Sequence, residues 1–310
     1  MATRTTRHPT LDRPRSPALR RAALAGCAAA ALGALPALPG AQAVPGLGAA
    51  AAQAAVPGRT VATAASAYDS SAVKQLSVTC PAGTKVIGVG ASHTGPAGRV
   101  VLDEVKPTPS LQMAGVVAAE VGPGTGAAWN VYLTAQCAAP LPGQVLVVRE
   151  STLTSAATRS VTASCPSGTK LVGGGGQVNG TAGVAGLDEV TPLPQLAGVV
   201  AVAAEPPTGS AESWYAGAYA ICAAPLPGQA LVTSSSPVSS STSKERTATC
   251  PAGTVVLSAS AQVDGPAGEV VLAGFRPLSS GTKARGWAAE TWAGTPDGWS
   301  LTTRAVCAAP

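Results

Sequence analysis

Side chains that enzymes use for chemistry are scarce in this sequence. Histidine occurs twice in 310 residues, aromatic residues make up 3% of the chain, and Phe275 is the single phenylalanine. His93 is the only histidine after residue 43, so any Ser–His–Asp triad would depend on that one residue. The sequence also has no Gly-x-Ser-x-Gly elbow. We therefore expect no catalytic residues and no enzyme activity.

Metal and cofactor ligands are equally sparse. Close Cys-x-x-Cys pairs are missing, and a lone histidine does not make a zinc site. The glycine run at residues 173–176 lacks the Lys-Ser/Thr ending of a phosphate-binding loop. Glycines inside a strand more often mark a bulge or a close contact between sheets. We expect neither a metal nor a cofactor.

The excess of basic over acidic residues lies at the start of the chain. The formal net charge is +5, but residues 1–43 hold six of the 20 basic and one of the 15 acidic residues, so 14 of each remain. A neutral remainder argues against nucleic-acid binding. After residue 43, no segment approaches the roughly 20 apolar residues of a membrane-spanning helix.

Residues 1–43 have the pattern of a secretory signal peptide. A basic start that ends at Arg20-Arg21 precedes an alanine-rich apolar stretch and the small-x-small site Ala41-Gln42-Ala43. This pattern predicts cleavage after Ala43 and a secreted, extracellular product. The arginine pair leaves twin-arginine and general secretory export open. The lipoprotein-like box that ends at Cys27 has no apolar core before it, which disfavours lipidation. Residues 44–55, rich in Ala, Gly and Pro, are predicted to be a flexible tether.

The remainder is one 85-residue unit present three times. The repeats span residues 56–140, 141–225 and 226–310 without insertion or deletion. Each opens on a Pro-Gly pair, closes on Ala-Ala-Pro and holds two cysteines 57 residues apart. A constant register predicts that the same fold occurs three times.

Six cysteines occur in the repeats: Cys80, Cys137, Cys165, Cys222, Cys250 and Cys307. An even number in an exported protein predicts disulfides. Two schemes agree with the repetition. The favoured scheme pairs the cysteines within each repeat, and the alternative links neighbouring repeats and closes with Cys80–Cys307.

Each repeat shows about six short β-rich segments separated by Pro and Gly turns, as in the strand before Cys80 and the turn Pro81-Ala82-Gly83-Thr84. These segments predict an all-β fold. Few large apolar side chains are available, so an isolated repeat would have a thin core. We therefore favour one pseudo-threefold body of β-prism type over three tandem, disulfide-linked β-sandwiches.

Two residue types recur at equivalent positions and are candidate ligand contacts. A tryptophan just before the last strand could fill the core or stack against a sugar ring. A glutamate recurs after an alanine pair and could be a solvated carboxylate or a ligand contact. The candidates are Trp129, Trp214, Trp299, Glu120, Glu205 and Glu290. A further acidic pair, Asp103-Glu104, recurs as Asp188-Glu189 but is replaced by Ala273-Gly274 in the third repeat.

The blocks that begin at Cys80, Cys165 and Cys250 with Cys-Pro-x-Gly-Thr, followed by a late Trp and a closing Cys-Ala-Ala-Pro, resemble uncharacterised secreted proteins of actinobacteria. The resemblance covers all three repeats and implies no particular activity. The repeated Cys-Pro-x-Gly turn is also similar to the vitelline membrane outer layer type of β-prism, which implies only a fold.

Two functions fit these observations. The first is a non-catalytic extracellular binding protein that recognises a cell-envelope glycan or another surface ligand through three equivalent sites. The second is a structural or protective secreted protein without a ligand. Exposure of the repeated tryptophans would distinguish them, because a buried indole offers no stacking surface.

Overall fold

The computed structural model describes residues 56–310. The predicted signal peptide, the tether and Cys27 lie outside this part of the chain. The described residues form 18 β-strands and one short 3-10 helix, Pro194–Leu196, so the all-β prediction is confirmed. No helix among residues 56–310 is long and apolar enough to cross a membrane.

Each repeat contributes six strands, which agrees with the number expected from its sequence. In the first repeat they are β1 (Thr60–Ala65), β2 (Val73–Thr79), β3 (Lys85–His93), β4 (Val100–Pro107), β5 (Met113–Glu120) and β6 (Val131–Ala138). In the second they are β7 (Val145–Glu150), β8 (Thr158–Ser164), β9 (Lys170–Asn179), β10 (Gly186–Pro192), β11 (Gly198–Ala204) and β12 (Tyr215–Ala223). In the third they are β13 (Ala230–Ser235), β14 (Ser243–Thr249), β15 (Val255–Asp264), β16 (Val270–Pro277), β17 (Lys283–Glu290) and β18 (Ser300–Ala308).

The strands form three six-stranded antiparallel sheets, and every sheet is shared by two repeats. Sheet I has the order β1-β6-β3-β16-β17-β14 and joins the first repeat to the third. Sheet II, β2-β5-β4-β9-β12-β7, joins the first to the second, and sheet III, β13-β18-β15-β10-β11-β8, joins the second to the third. Because each repeat divides its strands between two sheets, the three repeats form one closed body. The alternative of three tandem sandwiches is wrong.

The glycine run predicted to mark close contact lies where three equivalent strands meet. Strands β3, β9 and β15 contact one another. A Cβ atom added to Gly88 would overlap the carbonyl oxygen of Leu257, and one added to Gly173 would overlap that of Ile87. Gly175 is crowded in the same way by the backbone of Val105. The absence of side chains therefore allows neighbouring repeats to approach backbone to backbone.

The core consists mainly of small aliphatic residues supplemented by a few large ones. The largest fully buried side chains include the three repeated tryptophans, Phe275 and Ile87. Three disulfides also lie here, and they follow the within-repeat scheme: Cys80–Cys137, Cys165–Cys222 and Cys250–Cys307. In the chain-entropy model, closing a loop of this length stabilises the fold by about 4 kcal/mol. Disulfides of this kind are typical of extracellular proteins.

Candidate functional site

The structure brings the repeated tryptophans and glutamates together, in pairs inside each repeat. The indole Nε1 of Trp129 donates to Glu120 Oε1 at 3.1 Å, that of Trp214 to Glu205 at 2.8 Å, and that of Trp299 to Glu290 at 3.2 Å. All three tryptophans are 0% exposed. The glutamate therefore satisfies a buried indole N–H that would otherwise be unpaired.

A cation covers each of these indoles. Lys74 Nζ lies 4.9 Å from the ring centre of Trp129, and the guanidinium carbon of Arg159 lies 5.4 Å from that of Trp214. Lys244 Nζ lies 4.6 Å from the ring centre of Trp299. Burial and the cation together leave no indole face open to a sugar ring. These six residues contribute to the fold at three equivalent corners, and the observed contacts give no support to the stacking hypothesis.

His93 is partly buried beside one of these corners. Its Nδ1 accepts a hydrogen bond from the backbone N–H of Gly95 at 3.2 Å, and its ring meets that of Trp129 edge-on with centres 6.3 Å apart. Burial lowers the pKa of His93 to about 4, because a protein interior disfavours the imidazolium. A partly buried, neutral histidine with these contacts contributes to packing.

A groove on the solvent-facing side of sheet I is the candidate site. We call it the arginine groove; its volume is about 410 Å³, within the range of small-molecule sites. One wall is β1 with Arg59, and the floor is formed by Thr134 and Gln136 on β6. The other wall is formed by Arg276 and by the turn at residues 277–281. The groove thus lies between the first and third repeats and contains side chains from both.

The groove is deepened at one position of β6, where both other repeats carry a larger side chain. Thr134 corresponds to Tyr219 on sheet II and to Arg304 on sheet III. The Tyr219 hydroxyl is hydrogen-bonded to Gln177 Oε1, and Arg304 donates to Thr191 Oγ1 at 3.0 Å. These two long side chains extend across their sheets, whereas Thr134 leaves that space to the groove.

Arg59 departs from the repeat as well. Its counterparts Gln144 and Gln229 donate to the backbone carbonyls of Val86 and Leu171, both at 2.9 Å, and so connect consecutive repeats. Arg59 instead donates from Nε to Gln136 Oε1 at 3.2 Å inside the groove. The nearby turn leaves room for it, because the third repeat has Gly281 where the others have a buried leucine, Leu111 and Leu196.

Arg276 lies between two aromatic rings. Its guanidinium carbon is 5.5 Å from the ring centre of Trp287 and 6.0 Å from that of Tyr132, and its Nε donates to Ser92 Oγ at 3.1 Å. On sheet II the equivalent Lys106 has an ion-pair partner, Glu104, at 2.9 Å. Gly274 replaces that glutamate on sheet I, so no carboxylate stands two residues before Arg276.

Burial destabilises the charged forms of Arg59 and Arg276. Burial lowers the pKa of Arg59, and burial together with the neighbouring Arg285 lowers that of Arg276. Among the described residues, neither guanidinium has a carboxylate within ion-pair distance. A bound anion would therefore find two partly dehydrated guanidinium groups, the donors best suited to bidentate contact with a carboxylate or phosphate.

The equivalent hollow on sheet II has a different lining. It has a volume of about 690 Å³ and lies between the turn at residues 109–111 and the start of β7. Apolar side chains such as Leu111, Leu141 and Leu146 line it. Its one cation, Lys85, already donates to the carbonyl of Ser110 at 2.6 Å. This hollow therefore has a single lysine, in contrast to the two guanidinium groups of the arginine groove.

The acidic pairs Asp103-Glu104 and Asp188-Glu189 do not form a two-carboxylate site. Asp103 and Asp188 are buried, and each lies at a β-bulge in its strand. Glu104 is partly exposed and pairs with Lys106. The two carboxylates of a pair therefore have separate partners.

A comparison with models of known protein families finds no match, and neither does a comparison with curated proteins. The resemblance to secreted actinobacterial proteins and to the vitelline membrane outer layer type therefore stays a prediction.

The residues of the arginine groove were not among the sequence candidates. The sequence candidates recur in every repeat, whereas the groove is formed by residues that do not. A visible signal existed: Arg59, Thr134 and Gly274 differ from both of their counterparts. Their proximity could not be foreseen, because it depends on the pairing of the first repeat with the third.

Proposed function

We propose that the protein is a secreted, non-catalytic binding protein and that the arginine groove recognises an acidic saccharide of the cell envelope. One observation carries the proposal. Each of the other two faces has an ion pair or a long side chain that fills the surface. Sheet I instead has Arg276 without a carboxylate partner, the small Thr134, and Arg59 in place of the glutamine of the other repeats.

The groove offers the contacts that an acidic sugar needs. Arg59 and Arg276 can donate to a carboxylate, while Thr134, Gln136 and the hydroxyls of Ser279 and Ser280 can exchange hydrogen bonds with sugar hydroxyls. Tyr132, which is 38% exposed, provides an aromatic edge beside the groove. Charge and hydroxyl contacts in one cavity favour an acidic saccharide over a neutral one.

The proposal replaces three equivalent sites with one site per chain. The positions equivalent to Arg59 hold glutamine, and those equivalent to Thr134 hold tyrosine and arginine. Three identical weak sites on a single chain would require the same side chains on all three faces. Binding with a stoichiometry of one ligand segment per chain is therefore expected.

The experiment is calorimetric titration of the secreted protein with sodium polygalacturonate and with neutral dextran. We expect binding of the acidic polymer alone, and weaker binding as salt screens the charges. Arg59→Gln and Arg276→Thr install the residues of other repeats, and each should weaken binding about tenfold, the loss of a charged hydrogen bond.

Arg149→Gln is the matched control, because it removes an exposed arginine from sheet II and should leave affinity unchanged. Equal binding of dextran and polygalacturonate would contradict the proposal. So would equal effects of the groove variants and the control. If no envelope polymer binds at all, the alternative of a structural secreted protein without a ligand is supported instead.

A further inference from the structure

A column of charged and aromatic residues continues from the arginine groove along β17. Lys283, Arg285 and Trp287 occupy alternate positions of this strand, so their side chains lie on one face of the sheet. Lys283 is exposed, and Arg285 and Trp287 are partly exposed. The column starts where the turn that borders the groove ends. We call it the β17 column.

The β17 column is joined to the groove through Arg276. The antiparallel register places Arg276 directly opposite Arg285, and the two guanidiniums lie 5.5 and 5.7 Å from the ring centre of Trp287. Like charges that face each other across a strand pair are unfavourable. Glu245, which lies 3.3 Å from Arg285, offsets one of these charges. The pair therefore retains a positive charge that an anion would stabilise.

The other two sheets have no equivalent of this column. The counterparts of Lys283 are Met113 and Gly198, and those of Arg285 are Gly115 and Val200. Valines 117 and 202 stand where Trp287 does. Both charges and the indole are thus specific to the sheet that contains the arginine groove, which argues that the column and the groove serve the same ligand.

We infer that the ligand is a linear acidic polysaccharide, whose first carboxylate lies in the arginine groove and whose next acidic residues lie along the β17 column. The inference rests on the proposed function and specifies the class of its ligand. The carboxylates repeated along the polysaccharide would contact the cations repeated along β17. Trp287 would pack against a sugar ring that lies between two of these carboxylates. A single acidic sugar would occupy the groove alone.

The test compares galacturonic acid with its linear trimer and hexamer by calorimetric titration. We expect at least a tenfold gain in affinity from monomer to trimer for the unmodified protein. Arg285→Gln should remove most of that gain, so the affinity for the trimer should fall several times more than the affinity for the monomer. Trp287→Val, the residue of the other two repeats, should act in the same direction, and circular dichroism checks that both variants are folded. Arg59→Gln should weaken the monomer and the oligomers alike.

Equal affinities for monomer and hexamer would overturn the inference and leave the proposed function intact, provided that Arg59→Gln still weakens the monomer. An equal loss for monomer and trimer in Arg285→Gln would also overturn it, because the column would then not be a separate subsite. If neither monomer nor oligomer binds, the proposed function itself fails.

Discussion

The carboxylate of Asp103, in the first repeat, accepts a hydrogen bond from the backbone N–H of Gly183, in the second, at 2.9 Å. Asp188 has the equivalent relationship with Gly268 of the third repeat. Ala273 stands at this position in the third repeat, so the contact with Gly98 of the first repeat is missing. Two of the three junctions between repeats therefore have a buried carboxyl group.

These carboxyl groups predict a pH dependence of stability. Burial raises the pKa values of Asp103 and Asp188 from 3.8 to about 7. Because the pKa of each carboxyl group is higher in the folded protein than in the unfolded chain, its protonated form stabilises the fold. This stabilisation is complete at a pH below the unfolded-state pKa, and it is lost as the pH rises toward 7. Each carboxyl group should thus lower the free energy of unfolding progressively as the pH rises from about 4 to about 7.

His93 acts in the opposite sense, because its pKa is lowered from 6.5 to about 4 and its contribution is lost as the pH falls. In the double variant Asp103→Asn/Asp188→Asn, the free energy of unfolding should therefore fall much less with rising pH between about 4 and about 6.5 than in the unmodified protein. Glu189, whose pKa is also raised by burial, should retain part of the fall. Urea denaturation across this range measures the slope. A double variant whose stability falls as steeply with pH as that of the unmodified protein would contradict the assignment.

The shared sheets predict that a single repeat does not fold alone. Residues 141–225 contain only three strands of sheet II and three of sheet III, so each half-sheet would expose an edge and part of the core. This fragment should be unfolded or self-associated even with Cys165–Cys222 formed. Analytical ultracentrifugation and thermal melting test this. A monomer with a cooperative transition close to that of the whole protein would refute the expectation.

The buried indole–carboxylate pairs predict a localised loss of stability. In Glu205→Ala, the Nε1 of Trp214 and the backbone N–H of Ser210 lose acceptors that now lie at 2.8 Å. An unsatisfied buried donor costs about 1–3 kcal/mol. Urea denaturation should show a loss of this size, whereas the exposed Glu150→Ala should change stability by less than about 0.5 kcal/mol. Equal effects of the two variants would show that the pair is not a structural contact.

Filling the space above Thr134 tests whether the ligand binds in the arginine groove. Thr134→Tyr installs the residue that extends across sheet II, so its ring should occupy the space beside Arg276. Affinity for polygalacturonate should fall about tenfold or more, a loss of at least roughly 1.4 kcal/mol of binding energy. Thr134→Ser keeps the groove open and should bind normally. Unchanged binding by the tyrosine variant would place the ligand elsewhere.

The sequence was a good guide to local structure and a poor one to the pairing of repeats. The β-rich segments and the Pro and Gly turns between them predicted about six strands in each repeat, and the structure has six. The favoured disulfide scheme, in which each repeat is linked on its own, is confirmed. In contrast, the pairing of Ser92 with Gly274 joins residues far apart in the chain, and nothing in either local pattern indicates the partner.

The candidate site also depends on the pairing of repeats, which the sequence does not reveal. Recurrence identified the Trp129–Glu120 corner, but recurrence marks what the fold requires of every repeat. Arg59 and Arg276 belong to different repeats and line one groove only because sheet I is shared. Only a comparison of the three faces in the folded protein shows that these two arginines form a candidate site.

Fusion of the three repeats into one polypeptide has a consequence for how such a site can arise. In a homotrimer of separate 85-residue chains, any substitution would appear on all three faces at once. An arginine that replaced the connecting glutamine at position 59 would then remove that contact at every junction. A covalent tandem escapes this constraint, because each repeat is encoded separately and one face can specialise while Gln144 and Gln229 keep the other junctions closed.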